Sequence, residues 1–304
     1  MPDLNAIIQP LIESGRVATL LDLAIEEDLG ERGDITTRSI VELDRTGHAK
    51  LVARQSGVLA GIALVEKILE RFRITEGLSV KSADGDRIST GQTIAVIDGP
   101  LARILTAERT VLNVLGRLCG IATKTRRFVD AVAGTKAEIC DTRKTTPGWR
   151  ALEKYAVACG GGTLHRMGLY DAALYKDNHL AHIPLENLRS RLVQSARQAR
   201  SHDRAKFVEV ECDTLEQLEQ VLGVERGLID YVLLDNMSLE MMRDAVTMRN
   251  ERGSAIQLEA SGGIGLDTVR DVAETGVERI SVGAMTHSAS WLDFGLDIES
   301  RTTS

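Results

Sequence analysis

The hydrophobic pattern changes rhythm along the chain, and the change divides it. Over Arg16–Leu29, Val17, Leu20, Leu21, Leu23, Ala24 and Ile25 recur at helical spacing, with Gly30 as a stop. The stretch EDLGERGDITT then reads as a polar loop, whose acids and glycines leave open a cation site. From Gly47 the period drops to two: HAKLVARQSGVLAG alternates and turns at Gly57. A helix is expected over Ile62–Arg71, followed by short strands with Asp-Gly and Thr-Gly turns up to Pro100. Ala49–Pro100 is thus a small β-rich scaffold. Leu101–Val114 predicts a long helix, and a second helix is expected over Lys124–Val132 after Gly120 and Thr123.

Beyond Ala137 the chain alternates strand and helix. The strands are AEICD, DAALYK, KFVEVEC, IDYVLLDN, AIQLEASGG and ERISVGA. Between them lie amphipathic segments at Pro147–Ala158, Leu185–Arg200, Thr214–Leu222, Ser238–Glu251 and Leu266–Thr275, with Ser238 a good N-cap. Apolar strands alternating with helices imply a parallel sheet covered by helices. No G-x-G-x-x-G follows the first strand and no G-x-x-x-x-G-K-[ST] occurs, which counts against a dinucleotide fold and a P-loop. An α/β barrel fits better, with six or seven βα units rather than the standard eight.

Composition narrows the function. The 304 residues carry 44 acids against 37 Lys and Arg, a formal net charge of −7, so non-specific nucleic-acid binding is disfavoured. Cys119, Cys140, Cys159 and Cys212 form no C-x-x-C pair, which suits reduced thiols in a cytoplasmic protein. No secretory signal and no membrane-length apolar run is seen. The turns of DGDRISTGQTIAVIDG are similar to those of biotinyl and lipoyl carriers, but Lys81 lacks the methionine-flanked setting that such carriers use.

One stretch reverses the prevailing sign. Between Asp141 and His179 lie Arg143, Lys144, Arg150, Lys154, Arg166 and Lys176, which outnumber the acids there. Fixed cations with a histidine suggest a pocket for a small polyanion. The strand ends agree: Asp141, Thr142, Arg143 and Lys144 end the first, Lys176, Asp177, Asn178 and His179 the second, and Glu211 the third. Asp235 and Asn236 end the fourth, Ser261, Gly262 and Gly263 the fifth, Gly283 and Ala284 the last. In a barrel these converge on one opening. Arg143, Lys144, Arg166 and Lys176 can neutralise carboxylates and phosphates. Glu211 and Asp235 are placed to hold Mg²⁺ or sugar hydroxyls. The loops SGGIG and SVGA let backbone N–H groups approach an anion. Gly160–Gly162 precede His165 and Arg166, a pair that a flexible loop could deliver. His179 and His182 lack a third ligand for zinc.

The motifs DTRKTTPG, GGGTLHR and KDNH, together with EEDLGERGDITT, ARQSGVLAG, AERTVLNVLGRLCGIAT, VEVEC, LLDN, EASGGI and ISVGAMTHSA, resemble quinolinate phosphoribosyltransferase, also called nicotinate-nucleotide pyrophosphorylase (carboxylating). The likeness spans nearly the whole chain; Cys119 stands where Ser is commoner, and Trp149 where Leu is. It implies an N-terminal α/β sandwich domain over 1–120, with the tail 288–304 packed on it, and a C-terminal α/β barrel of fewer than eight units over 121–287. It implies phosphoribosyl transfer from phosphoribosyl pyrophosphate to quinolinate with decarboxylation, dependent on Mg²⁺, in de novo NAD biosynthesis. The family's quinolinate positions match Arg109, Arg143, His165, Arg166 and Lys176. Its phosphoribosyl pyrophosphate positions match Lys144, Glu211, Asp235, Ser261, Gly262, Gly263 and Gly283, with His287 nearby. Of these, Lys144, Lys176, Glu211 and Asp235 are the expected catalytic groups. By pattern alone Arg109 is a solvated helix charge; the resemblance implies instead a homodimer or larger homo-oligomer in which Arg109 is shared across the interface.

Overall fold

The computed structural model describes residues 3–42 and 44–299; residues 300–304 of the expected tail lie outside them. The chain begins with α1 (Leu4–Glu13), α2 (Arg16–Leu29), α3 (Ile35–Ile40), β1 (Thr46–Ala53), β2 (Gly57–Val58) and α4 (Ile62–Arg71). Next come β3 (Leu78–Val80), β4 (Arg87–Ile88), β5 (Thr93–Pro100) and α5 (Leu101–Ala131). β6 (Glu138–Cys140), α6 (Arg150–Cys159), β7 (Ala173–Tyr175), α7 (Asp177–Leu180) and α8 (Leu185–Ser201) follow. The rest is β8 (Val208–Cys212), α9 (Leu215–Leu222), β9 (Tyr231–Asp235), α10 (Leu239–Glu251), β10 (Gln257–Ser261), α11 (Val269–Glu274), β11 (Arg279–Ser281), α12 (Ala284–His287) and β12 (Phe294–Glu299).

These elements form two compact units. The first comprises Met1–Arg126, Thr145–Gly161 and Met285–Ser304; the second comprises Arg127–Lys144 and Gly162–Ala284. In the first, an antiparallel sheet runs in the order β12-β1-β5-β3. β12 lies beside β1 with Phe294 opposite Ala53, so the chain end closes the edge of a sheet begun near its start. Ala49, Leu51 and Ala53 of β1 are fully buried, as period-two alternation requires of one face. The polar loop before α3 has a structural use for Asp34. Its side chain caps that helix by accepting the Thr37 N–H at 2.8 Å, and it also accepts the Thr106 hydroxyl at 3.0 Å.

Two expectations give way here. α5 is one helix of 31 residues, where two were expected. Its glycines are there for close packing: a Cβ at Gly120 would lie 2.1 Å from the Ser290 carbonyl oxygen, and one at Gly116 3.0 Å from that of Leu292. A glycine demanded by a crossing backbone does not end a helix. The segment expected to be helical from Pro147 becomes helical only at Arg150, and Pro147 sits in the preceding turn.

The second unit is built on a six-stranded sheet in the order β6-β11-β10-β9-β8-β7, with every ladder parallel. Thr163 adds a parallel bridge on the free side of β6. From β7 through β8, β9 and β10 to β11 the strands follow chain order, with β6 and then Thr163 beyond β11, the arrangement of a partial α/β barrel with fewer than eight units. Thr214 and Ser238 cap α9 and α10, accepting from Gln217 N–H at 3.3 Å and Met241 N–H at 3.2 Å. Along β8 to β11 the alternate positions Glu209 and Glu211, Leu233 and Asp235, Glu259 and Ser261, Arg279 and Ser281 share a parity. All but one are polar. A barrel interior filled only for packing would be branched and apolar. Among the described residues, no helix is long and apolar enough to cross a membrane.

Candidate active site

The strand ends of the second unit open into one cleft of about 520 Å³. Thr142, Arg143, Lys144, His165, Arg166, Lys176, Asp235, Ser261, Gly262 and Gly263 all line it. Glu211 is buried beside them: Oε2 accepts from the Lys176 ammonium, and Oε1 accepts the Asp177 N–H at 3.1 Å. Gly283 and Ala284 follow β11 but are outside the cleft lining. Arg109 and His287 line a different cavity, of about 670 Å³, within the first unit. Arg150 and Lys154 also belong to the first unit; Arg150 Nε donates to the Thr145 hydroxyl at 3.0 Å, and Lys154 is fully buried. So four of the six cations in the 141–179 stretch reach this cleft. His179 is exposed, and its Nδ1 accepts the Lys176 N–H at 2.9 Å, which steadies the turn carrying Lys176.

The loops after β9 and β10 lock together. Asn236 is left-handed at φ 53°, its N–H donates to the Ser261 carbonyl at 3.0 Å, and its Nδ2 donates to Asp235 Oδ2 at 2.7 Å. Gly262 has φ 102°, and a Cβ there would meet Asn236 Oδ1 at 2.2 Å, so only glycine fits. Asp235 is thereby held at the rim beside the glycine loop.

Charge is unevenly arranged around the cleft. Burial holds Arg166 below the usual guanidinium range, and the Arg143 guanidinium pushes it the same way. Two like charges in a half-closed pocket are a receptor for a dianion, since binding relieves their repulsion. Asp213 is raised, first by burial and then by repulsion from Glu211, Asp235 and Asp177. These are all oxygen donors, the chemistry that suits a hard divalent cation such as Mg²⁺.

A buried group joins His165 and Glu259 of the cleft lining to Glu209 and Arg279; sequence reasoning singled out only His165 of these. His165 Nε2 is 2.9 Å from Glu209 Oε2 and 3.6 Å from Glu259 Oε1. Arg279 Nε is 3.1 Å from Glu259 Oε2 and donates to Cys140 Sγ at 3.0 Å, while the Ser281 hydroxyl bonds Glu259 Oε1. Burial pushes both Glu209 and Glu259 up to about 7; for Glu259 the neighbouring Glu209 adds to it. The ligand atoms of His165, Glu209 and Glu259 lie within 4.8 Å of one another, close enough to suggest a metal site. His165 argues against one. Its Nδ1 accepts the Arg166 N–H at 2.8 Å, so the ring proton is on Nε2, the atom a metal would need bare. The available signal was charged residues inside VEVEC, QLEAS and RIS, where a strand covered on both faces should be apolar.

The quinolinate phosphoribosyl transferase N-terminal domain matches residues 34–119, and the C-terminal domain of the same family matches 121–297. A protein of Mycobacterium leprae named nicotinate-nucleotide pyrophosphorylase (carboxylating) is 43% identical over 277 residues, covering 90% of this chain and 94% of the relative. A Nicotiana tabacum protein named quinolinate phosphoribosyltransferase (decarboxylating) 1b is 36% identical over 293 residues, covering 92% of this chain and 81% of the relative. The solved nicotinate-nucleotide pyrophosphorylase of Francisella tularensis superposes with a TM-score of 0.83 at 34% identity, covering 93% of this chain and 96% of that one. The chain belongs to the quinolinate phosphoribosyl transferase family.

Proposed function

We infer that this chain transfers the phosphoribosyl group of phosphoribosyl pyrophosphate to the ring nitrogen of quinolinate, with loss of CO₂, giving nicotinate mononucleotide for NAD biosynthesis. The observation that carries the assignment of roles is the cleft itself, where Arg143, Arg166, Lys176 and Lys144 face Asp235 and the Gly262–Gly263 loop. Quinolinate brings two adjacent carboxylates. Arg143 and Arg166 bind them, since guanidinium groups can each offer two parallel hydrogen bonds to a carboxylate. Lys176 adds a third charge and is steadied by Glu211. The sugar donor's phosphates take the opposite side, at Lys144 and the backbone N–H groups of Ser261–Gly263.

In the transfer the ribosyl carbon loses pyrophosphate and gains the pyridine nitrogen. Positive charge develops on the sugar, and the carboxylates of Asp235 and Glu211 stabilise it electrostatically. Lys144 takes charge building on the leaving pyrophosphate. The ring nitrogen becomes cationic, so the adjacent carboxylate can leave as CO₂; its electron pair stays on the ring carbon and is quenched by a proton. Asp235 and Glu211 would hold Mg²⁺, which supplies positive charge to the pyrophosphate when bound. Arg109 is exposed in a cavity of the first unit, which supports a homodimer in which it serves a second copy's cleft. The four cysteines are free and buried, which supports a cytoplasmic setting. The test is quinolinate consumption with CO₂ release that requires both phosphoribosyl pyrophosphate and Mg²⁺; transfer to nicotinate instead would overturn the assignment.

A further inference from the structure

Glu209 and Arg279 lie behind the cleft lining and take no part in the transfer steps above, yet each contacts a lining residue, His165 and Glu259 respectively. Its geometry has a direction. The Arg166 N–H donates to His165 Nδ1 at 2.8 Å, which leaves the ring proton on Nε2, and Nε2 donates to Glu209 Oε2 at 2.9 Å. Phe207 meets the imidazole edge-on with centroids 5.3 Å apart, so the ring is held by packing as well as by its two nitrogens. The His165 N–H is anchored separately, by Asp141 Oδ1 at 2.8 Å. Arg166 follows immediately, lines the cleft, and is tied by Nη1 to the Ala172 carbonyl at 3.0 Å. Were the imidazole to turn, the Arg166 N–H would lose its acceptor and the guanidinium its fixed origin.

Glu209 is wholly buried, on a strand that packing alone would have filled with an apolar side chain. Its Oε1 makes no hydrogen bond among the described residues, an expense that a purely structural position would avoid. The countercharge for the buried carboxylates is Arg279, at 3.1 Å from Glu259 and with its guanidinium 4.4 Å from the Tyr231 ring centroid. We propose that Glu209 is a positioning residue for quinolinate: it locks His165 in the Nε2–H form, and through His165 fixes the Arg166 guanidinium against the substrate's carboxylates. Glu209 never touches substrate. The proposal rests on quinolinate being the base bound in the cleft.

The test compares Glu209→Met, which keeps the size but removes the acceptor, with Glu209→Gln, which keeps an acceptor oxygen. For the Met variant the KM for quinolinate rises about tenfold, the worth of one hydrogen bond to a charged group, while the KM for phosphoribosyl pyrophosphate stays at the parent value. The Gln variant stays near the parent in both. An unchanged quinolinate KM in the Met variant, a parallel rise in both KM values, or a Gln variant as impaired as the Met variant overturns the proposal. Nitrogen NMR of histidine-labelled parent protein adds an arm that does not depend on either variant folding: an Nε2–H neutral His165 supports the lock, and an Nδ1–H or doubly protonated ring overturns it. If the parent itself does not turn over quinolinate, the functional reading has failed, and the NMR arm still decides whether Glu209 sets the tautomer.

Discussion

Removing Arg117 breaks a buried network of the first unit. Arg117 donates to Glu153 Oε1 from Nη2 at 2.5 Å and from Nε at 3.1 Å, and reaches the Thr286 carbonyl at 2.8 Å. Thr146 adds its hydroxyl to the same oxygen at 2.8 Å and its N–H to Oε2 at 3.1 Å. The Glu153 side chain is 0% exposed and that of Arg117 15%. Breaking a buried pair from one side costs about 3–5 kcal/mol, because the abandoned carboxylate stays buried. An exposed pair is worth under about 1 kcal/mol. The two Thr146 donors remain, so Arg117→Ala should sit at the low end, near 3 kcal/mol by the same reasoning. With a urea m-value of about 3 kcal/mol/M for a chain of this size, the midpoint falls by about 1 M. The chain's two tryptophans, Trp149 and Trp291, both line the cavity that Arg117 lines, so their fluorescence reports this unit's unfolding. Pairing Arg117→Ala with Glu153→Gln should recover part of the loss, since no charge is then stranded. A midpoint shift below about 0.3 M, equivalent to an exposed pair, would refute the account of this network.

Other consequences are equally direct. Arg166→Ala should lower kcat/KM for quinolinate by about ten- to a hundredfold, the worth of charge-assisted bonds to a carboxylate, with little change in urea midpoint; equal kcat/KM would sink its role. Gly262→Ala puts a Cβ 2.2 Å from Asn236 Oδ1 at φ 102°, so it should raise the KM for phosphoribosyl pyrophosphate more than that for quinolinate. Glu278 accepts from Arg249 at 2.9 and 3.2 Å, from Lys136 at 2.6 Å and from the Leu258 N–H at 2.9 Å. Burial opposes its charge, but these bonds outweigh burial and hold its carboxyl below the ordinary 4.5. Its stabilisation is therefore present above about pH 4.5 and lost as pH falls through the lower folded value. Glu278→Gln should lower the neutral-pH urea midpoint and flatten the acid limb; an unchanged acid limb would contradict this.

The parts legible in the sequence share a physical cause. Strand-end residues such as Asp141–Lys144, Asp235 and Ser261–Gly263 converge because a parallel ring of βα units brings every strand's carboxyl end to one rim. Alternation predicts that ring without knowledge of partners. What stayed hidden depends on contacts distant in sequence. Nothing local says that Gly120 faces the Ser290 carbonyl, so α5 read as interrupted. Arg150 and Lys154 share a basic stretch with Arg143 and Arg166, yet Thr145–Gly161 belongs to the first unit, and a one-dimensional charge count cannot see that division. Glu209, Glu259 and Arg279 were visible as charges in apolar strands. Their meaning depended on β8, β10 and β11 lying in one sheet with β9 between β8 and β10.

The proposed reaction couples ribosyl transfer in the cationic cleft to loss of the quinolinate carboxylate. It is tested most directly by following CO₂ and nicotinate mononucleotide together after mixing the protein with quinolinate, phosphoribosyl pyrophosphate and Mg²⁺. Equal amounts of the two products, with none when phosphoribosyl pyrophosphate is omitted, are predicted. Nucleotide formation from nicotinate without CO₂, or no turnover of quinolinate at all, would contradict it.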